Sequence, residues 1–229
     1  MAANEPVRTV RVWDVWVRLF HWSLAAAVLY MLFNGMSGIG FTLYHRQIGE
    51  IVLLLLTFRW CLAIVGSDNL RLPTLIRSPR AALDHLVHLR RREVGPERGH
   101  NAAGAWAVLA LLSSLSFQAA SGLFIADDPD FPLVEGLLHG ALDESAMKTL
   151  RSLHDLNAKL LIGLVALHVT MVIVYLFWAG LNLIRPMITG RTRWPVSRAV
   201  PELVFQPFAL GLAIAFAVGL GGAWLLGWF

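Results

Sequence analysis

Long apolar stretches without charged side chains dominate the pattern of hydrophobic and polar positions. Four of them exceed the roughly 20 residues that a helix needs to cross a bilayer. These four run from Leu19 to Leu43, Asn101 to Ala126, Leu160 to Ile184 and Leu203 to Phe229. A fifth, from about Ile48 to Gly66, contains Glu50 and Arg59 but is otherwise almost wholly apolar. Because these runs lack the periodic polar stripe of a water-facing helix or strand, they predict five transmembrane helices.

The fold class that follows is an all-α integral membrane protein. Four spans are expected at about residues 19–41, 46–66, 101–126 and 145–184, within a helical bundle that covers residues 1–190. A basic linker and a fifth transmembrane helix are expected over residues 191–229. Asn34-Gly35 and Ser37-Gly38 favour a short loop after the first helix.

Composition agrees with this class and narrows the chemistry. Hydrophobic residues make up 57% of the 229 positions, charged residues only 15%, and the mean hydropathy is +0.62. A soluble enzyme of this length does not need so apolar a chain. The single cysteine, Cys61, excludes an internal disulfide, a covalent Cys-x-x-Cys-His haem attachment and a four-cysteine iron–sulfur cluster.

The distribution of positive charge predicts the orientation. Of the 19 Lys and Arg residues, 14 lie in the N-terminal tail, in residues 67–100 and in the segment after the fourth span, whereas residues 127–144 contain six acidic residues and no Lys or Arg. Under the positive-inside rule the N-terminus is on the cytoplasmic side of the membrane and the C-terminus is on the outer side. Because the basic segment 67–100 lies between two spans and lacks interleaved aromatic residues, we expect lipid contacts there and no nucleic-acid partner.

Four histidines at the ends of predicted spans carry the candidate chemistry. His154 and His168 are fourteen residues apart on the fourth span, which corresponds to about 21 Å of rise and nearly four whole turns. They therefore share one helix face at two depths. His21 lies at the inner end of the first span and His45 at the outer end of the second. Intramembrane ionisable residues are costly and mark functional sites.

These histidines can be paired across helices by their predicted depth in the membrane. Since the first two spans run in opposite directions, His21 matches the depth of His168, and His45 matches that of His154. Two neutral imidazoles from facing helices can supply both axial ligands of an iron in a non-covalent b haem. The sequence thus predicts a four-helix transmembrane di-haem bundle, with a fifth helix outside it.

Several neighbours are candidates for contacts with these cofactors. Arg59 follows His45 by fourteen residues, so its guanidinium could pair with a propionate carboxylate, and Arg18 could do the same one turn before His21. Asn157 lies close to His154 along the helix. Gly49 and Gly163 would admit a flat macrocycle, although small residues serve close helix packing equally well.

The remaining histidines are not assigned to iron. We expect His85 and His88 in the basic segment, and His139 in the outer segment, to be solvated. His100, at the start of the third span, has no obvious partner at its depth and is left out of the ligand set.

These pieces together resemble the bacterial cytochrome b561 family, including the b-type cytochrome subunits of nickel–iron hydrogenases. The similarity covers roughly residues 12–190. The matching motifs are Val12-Trp13-Asp14, Arg18-Leu19-Phe20-His21-Trp22, His45-Arg46-Gln47-Ile48-Gly49, Gly99-His100-Asn101-Ala102-Ala103-Gly104, His154-Asp155-Leu156-Asn157-Ala158, Leu167-His168 and Asn182 to Gly190. The resemblance implies a four-helix bundle with two b haems whose ligands are His21, His45, His154 and His168.

The resemblance also implies electron exchange between the quinone pool and a redox partner, such as a periplasmic cytochrome c or a hydrogenase-like protein. The acidic segment Asp127–Glu144 would dock a basic partner, or simply keep an outer loop soluble. One alternative is a direct oxidoreductase acting on superoxide or ferric iron, with Lys148, Arg151 and Lys159 attracting an anion. A remote alternative is a haem-free proton or ion transporter. No catalytic or quinone-binding residue is assigned, and a homo-oligomer is left open.

Overall fold

The computed structural model describes residues 6–36, 43–126 and 134–229. Five of its helices are long and apolar enough to cross a membrane, and they are α1 (Val15–Met36), α2 (Leu43–Val65), α5 (Ala102–Gly122), α6 (Glu144–Phe177) and α8 (Phe208–Leu225). The shorter helices are α3 (Leu72–Leu75), α4 (Pro79–Arg90) and α7 (Ile184–Thr189). The prediction of an all-α membrane protein with five spans is confirmed, apart from two short strands.

Helix boundaries differ from the predicted ones for local reasons. Helix α1 begins at Val15, before the charged Arg18, because the Asp14 carboxylate accepts a hydrogen bond from the Val17 amide (2.9 Å) and caps the first turn. Helix α6 ends at Phe177 instead of near residue 184, since Gly180 adopts φ 67° and turns the chain although the sequence stays apolar. The predicted loop after α1 lies largely outside the described residues.

The two strands, β1 (Val7–Arg11) and β2 (Arg191–Pro195), form an antiparallel pair in which Val7 lies opposite Pro195. Gly190 prepares this pairing with φ 77°, and its carbonyl accepts a hydrogen bond from the Val12 amide (2.8 Å). A Cβ at Gly190 would lie 2.8 Å from the Trp13 carbonyl oxygen, so the close approach requires glycine. Part of the expected linker is therefore paired with the N-terminal tail.

The chain divides into two compact units, and each long helix contributes residues to both. The first unit comprises the described residues of Met1–His21, Trp60–Leu109 and Ala166–Leu212. It contains the strand pair and a buried polar network in which the Ser67 hydroxyl donates to Asp14 (2.8 Å). The Trp16 indole donates to the Phe208 carbonyl (3.0 Å), which fastens the start of α8 to α1 within this unit.

The second unit comprises the described residues of Trp22–Arg59, Ala110–Val165 and Ala213–Phe229. Its buried Glu50 accepts hydrogen bonds from Arg46 (2.8 Å) and from the Trp228 indole (2.9 Å). The carboxylate is thus paired with a cation and with a polar donor, which offsets the cost of burying it. The same contacts tie the chain after α8 to the start of α2.

Candidate haem-binding sites

His21 and His168 lie together in the first unit, as their spacing predicted. His21 comes from the second turn of α1 and His168 from α6, and their ring centroids are 6.4 Å apart with a tilt of 55° between the ring planes. An imidazole nitrogen binds a first-row metal at about 2 Å and lies about 1.2 Å from its ring centre, so two rings on opposite sides of one iron have centres about 6.4 Å apart. The separation therefore fits one iron between them.

His45 and His154 lie together in the second unit. His45 is in the first turn of α2 and His154 in the third turn of α6, and a charge on His45 acts electrostatically on His154. His154 is buried, with 6% of its surface exposed. This pairing also follows the predicted match of depths.

Ser121, on α5, fixes the tautomer of His154. The two residues are joined by a hydrogen bond of 2.8 Å between Ser121 Oγ and His154 Nδ1. Since the Ser121 hydroxyl already donates to the Gln118 carbonyl (3.1 Å), its oxygen is left to accept from Nδ1–H. The lone pair of His154 is then on Nε2, the nitrogen available to a metal. Such outer partners orient a ligand and raise its basicity.

Residues 12–190 match the model of one protein family, described as prokaryotic cytochrome b561. The chain belongs to the prokaryotic cytochrome b561 family. Membership agrees with the helical membrane fold and implies b haem as cofactor and electron transfer across the membrane as the family's activity. Among curated proteins, none matches the chain.

Within this cytochrome b561 fold, the arginines predicted near haem have different surroundings. Arg18 donates to the carbonyl oxygens of Asp14 (3.1 Å) and Ile188 (2.5 Å), so it helps to hold α1 to the α7 end of the first unit. Arg59 is buried with 2% exposure and is the last α2 residue of the second unit. A contact of Arg59 with a haem propionate stays a prediction.

Asn157 forms a clamp between α5 and α6. Its amide nitrogen donates to the Ser114 carbonyl (3.0 Å) and to Gln118 Oε1 (2.6 Å), while its amide oxygen accepts from the Ser114 hydroxyl (2.7 Å). Both ends of the amide are thus engaged in joining the two helices. Ser114 is itself buried.

Gly49 and Gly163, the two glycines predicted to admit haem, differ in the room that each has for a side chain. A Cβ at Gly49 would meet the Met31 methyl at 4.0 Å, which is ordinary van der Waals contact. A Cβ at Gly163, between His154 and His168 on α6, would meet none of the described residues within 4 Å. Nine residues separate Gly163 from His154 and five separate it from His168, so Gly163 lies on the opposite side of α6, and its role in admitting haem stays a prediction.

Spacing alone did not reveal the partners of these histidines. Ser121 lies on another helix, and only the apolar run of α5 and a nearby glycine, Gly122, mark its place; a Cβ at Gly122 would lie 3.5 Å from His154 Cε1. His100, left out of the ligand set, packs on Trp13 with ring centroids 4.9 Å apart. His88 is exposed as expected, whereas the expectation that His85 is solvated is wrong, because its ring is half-buried against Tyr175.

Proposed function

We propose that this cytochrome b561 protein carries electrons across the membrane through two b haems, one held by His21 and His168 and the other by His45 and His154. The observation that carries the proposal is the 6.4 Å separation of the first imidazole pair, which suits axial ligation of one iron. The second pair is supported by its position in one unit and by the Ser121 contact that orients His154.

The chain's own residues bind and orient the cofactors, and bound haem iron supplies the one-electron couple. Two protein nitrogens per iron leave no open coordination position, which suits electron transfer better than binding of a substrate at the metal. The outer-shell hydrogen bond to His154 and the burial of that residue tune the potential of its site. Arg18 and Arg59 are proposed to face propionate carboxylates.

The orientation is proposed with the arginine-rich segments in the cytoplasm. Strands β1 and β2 belong to one sheet, so the residues before α1 and after α7 share one side of the membrane. An even number of crossings between them is required, and α1, α2, α5 and α6 supply four. Helix α8 then places the C-terminus on the periplasmic side, in agreement with the positive-inside distribution.

Electron exchange is proposed with the quinone pool and with a redox partner, either a periplasmic cytochrome c or a hydrogenase-like protein. Asp127, Asp128 and Asp130 of the proposed acidic docking segment lie outside the described residues. Glu135 and Asp143 of the same segment are exposed. Charge there would steer a basic partner towards the second unit.

We prefer the carrier to a direct oxidoreductase because two of the three cations that would attract an anionic substrate are engaged. Lys148 pairs with Glu144 (2.6 Å), and Arg151 donates to the Ala126 carbonyl (2.9 Å).

The domain division is proposed in modified form. Residues 12–190 bind the haems, and residues 191–229 add a strand and a helix that fasten both units.

The test is a dithionite-reduced minus oxidised absorption spectrum of the purified protein, with a pyridine haemochrome assay to count haems per chain. We expect two b haems in the wild type and fewer in His154→Ala and His168→Ala. His88→Ala is the matched control, since His88 is exposed. Purified, folded protein without haem, from cells supplied with haem, would refute the proposal.

A further inference from the structure

A polar cluster in the first unit lies apart from the four candidate ligands. Its centre is the Tyr175 hydroxyl, which receives a hydrogen bond from the Asn101 amide nitrogen (2.9 Å) and lies 2.6 Å from His85 Nε2. The other ring nitrogen of His85, Nδ1, is 3.8 Å from a Glu97 carboxylate oxygen. A phenol, an imidazole and a carboxylate therefore follow one another across α6, α4 and the segment before α5.

The Tyr175 oxygen has two lone pairs and can accept two hydrogen bonds. Asn101 Nδ2 has only hydrogens to offer, so the Tyr175 oxygen accepts from it, and the second lone pair of that oxygen can accept from His85 Nε2–H. In that neutral tautomer the lone pair of His85 is on Nδ1, which faces Glu97. Each of the three groups can accept a proton on one side and release one on the other, as a proton relay requires.

Exposure falls along the cluster from water towards the membrane helix. The Glu97 side chain is 44% exposed, that of His85 is 14% exposed, and Tyr175 is 5% exposed. Glu97 and His85 also line a cavity of about 380 Å³, together with Arg77, Ala81, Asp84 and Ala102. Solvent thus reaches the carboxylate end of the cluster, whereas the phenol end is enclosed by protein.

The charges around the cluster bring the proton affinities of its outer members closer together. Burial raises the pKa of Glu97, against the opposing effect of Arg77 and Arg198. Burial also lowers the pKa of His85, and His88 on the same helix adds to that effect. Asp84 faces the same cavity from α4. Proton transfer between two groups is easiest when their affinities are similar.

Tyr175 connects this cluster to the first-unit histidines through α6. It follows His168 by seven residues, which is about 10 Å of rise and nearly two whole turns, so the two side chains share a face of the helix. At about 10 to 15 Å and an effective dielectric constant of about 20, one unit charge changes a proton affinity roughly tenfold. An electron added at the site of His21 and His168 therefore raises the proton affinity of this cluster.

We propose that Glu97, His85 and Tyr175 form a proton-uptake path, which takes up a proton from water when the site of His21 and His168 gains an electron. A proton from water binds the Glu97 carboxylate and passes to the lone pair on Nδ1 of His85. The Glu97 O–H bond breaks as the new N–H bond forms, and the resulting positive charge on His85 compensates the electron. The electron comes from the reductant, here dithionite, and no other reactant is consumed. The inference rests on the proposed function, because it needs a redox centre at that histidine pair.

The experiment measures proton uptake on reduction, with a pH-indicator dye and the haem-loaded protein in weak buffer, and the pH dependence of the midpoint potentials. We expect the wild type to take up protons, with one potential that falls as pH rises. His85→Gln removes the uptake and makes that potential insensitive to pH. His139→Gln, the same change at a histidine of the second unit, leaves both as in the wild type.

Tyr175→Phe and Glu97→Gln provide second variants if His85→Gln does not fold. Glu97→Gln should slow the uptake about tenfold or more while preserving haem content. A haem-free readout is the ¹⁵N spectrum of histidine-labelled protein, in which His85 should carry its proton on Nε2 and lose that preference in Tyr175→Phe. Protein with both haems but no proton uptake would overturn this inference alone, whereas folded protein without haem would overturn the proposed function as well.

Discussion

The hydrogen bond between Ser121 and His154 offers the sharpest test of the second haem site. Ser121→Ala removes one hydroxyl from a position that is only 3% exposed and leaves the helix residue otherwise unchanged. His154 Nδ1–H then loses the acceptor 2.8 Å away. The ring is free to rotate or to move its proton to Nε2, and either change competes with binding of that nitrogen to iron.

The expected loss of haem affinity follows from the His154 Nδ1–H donor that Ser121→Ala leaves buried without its acceptor. A buried donor without its acceptor costs about 1–3 kcal/mol, and loss of an outer-shell partner typically lowers metal affinity by about 10–100-fold. We therefore expect haem affinity in the second unit to fall by about 10–100-fold. The midpoint potential should rise as well, because an imidazole without its acceptor donates less electron density and stabilises ferric iron less.

The assay is a haem titration of the apoprotein combined with a potentiometric redox titration. Both are made in a His168→Ala background, so that only the second-unit site binds haem. Ser113→Ala is the matched control, because Ser113 lies on the same helix but is exposed. An affinity within about twofold of the control, together with an unchanged potential, would show that Ser121 does not position the ligand.

Three further changes test other parts of the structure. Trp228→Phe removes a hydrogen bond to the buried Glu50 carboxylate, so thermal unfolding should show a loss of about 1–2 kcal/mol, whereas Trp224→Phe, at a position 69% exposed, should not. Asp14→Ala removes the cap of α1 and should cost about 1–2 kcal/mol in the same assay, with Asp14→Asn retaining more stability than Ala. Because burial raises the pKa of Glu97, its charged form is disfavoured in the folded state; Glu97→Gln should raise the melting temperature near pH 7, and the gain should disappear as pH falls below the ordinary carboxyl range.

The histidine pairs could be predicted from sequence because they depend on helix periodicity and on the direction of successive spans. A spacing of fourteen residues fixes the shared face of His154 and His168 without knowledge of any neighbour. Ser121 could not be found in this way, since it lies 33 positions from His154 on another helix. A serine in an apolar helix has no local signal that distinguishes a ligand's partner from a helix-packing residue.

Asn157 and the strand pair show the same limit. Proximity to His154 along the helix predicted a contact of Asn157 with haem, which stays a prediction, whereas its hydrogen bonds to Ser114 and Gln118 on α5 had no signal in the sequence. The strands Val7–Arg11 and Arg191–Pro195 are short and rich in arginine, and their pairing joins positions 180 to 188 residues apart. Such a pairing is set by where the helices bring the chain, not by local propensity.

The pairing of β1 with β2 also sets the order of folding events during synthesis of this protein. Val7 leaves the ribosome well before its partner, Pro195, which is synthesised only after the four membrane-spanning helices between them. During that interval β1 presents unpaired backbone groups, and its arginines keep such an edge from joining another chain. Closure of the sheet therefore reports that α1, α2, α5 and α6 have all been inserted. A nascent chain stalled before Arg191 should expose the N-terminal segment to protease, and one extended past Pro195 should protect it.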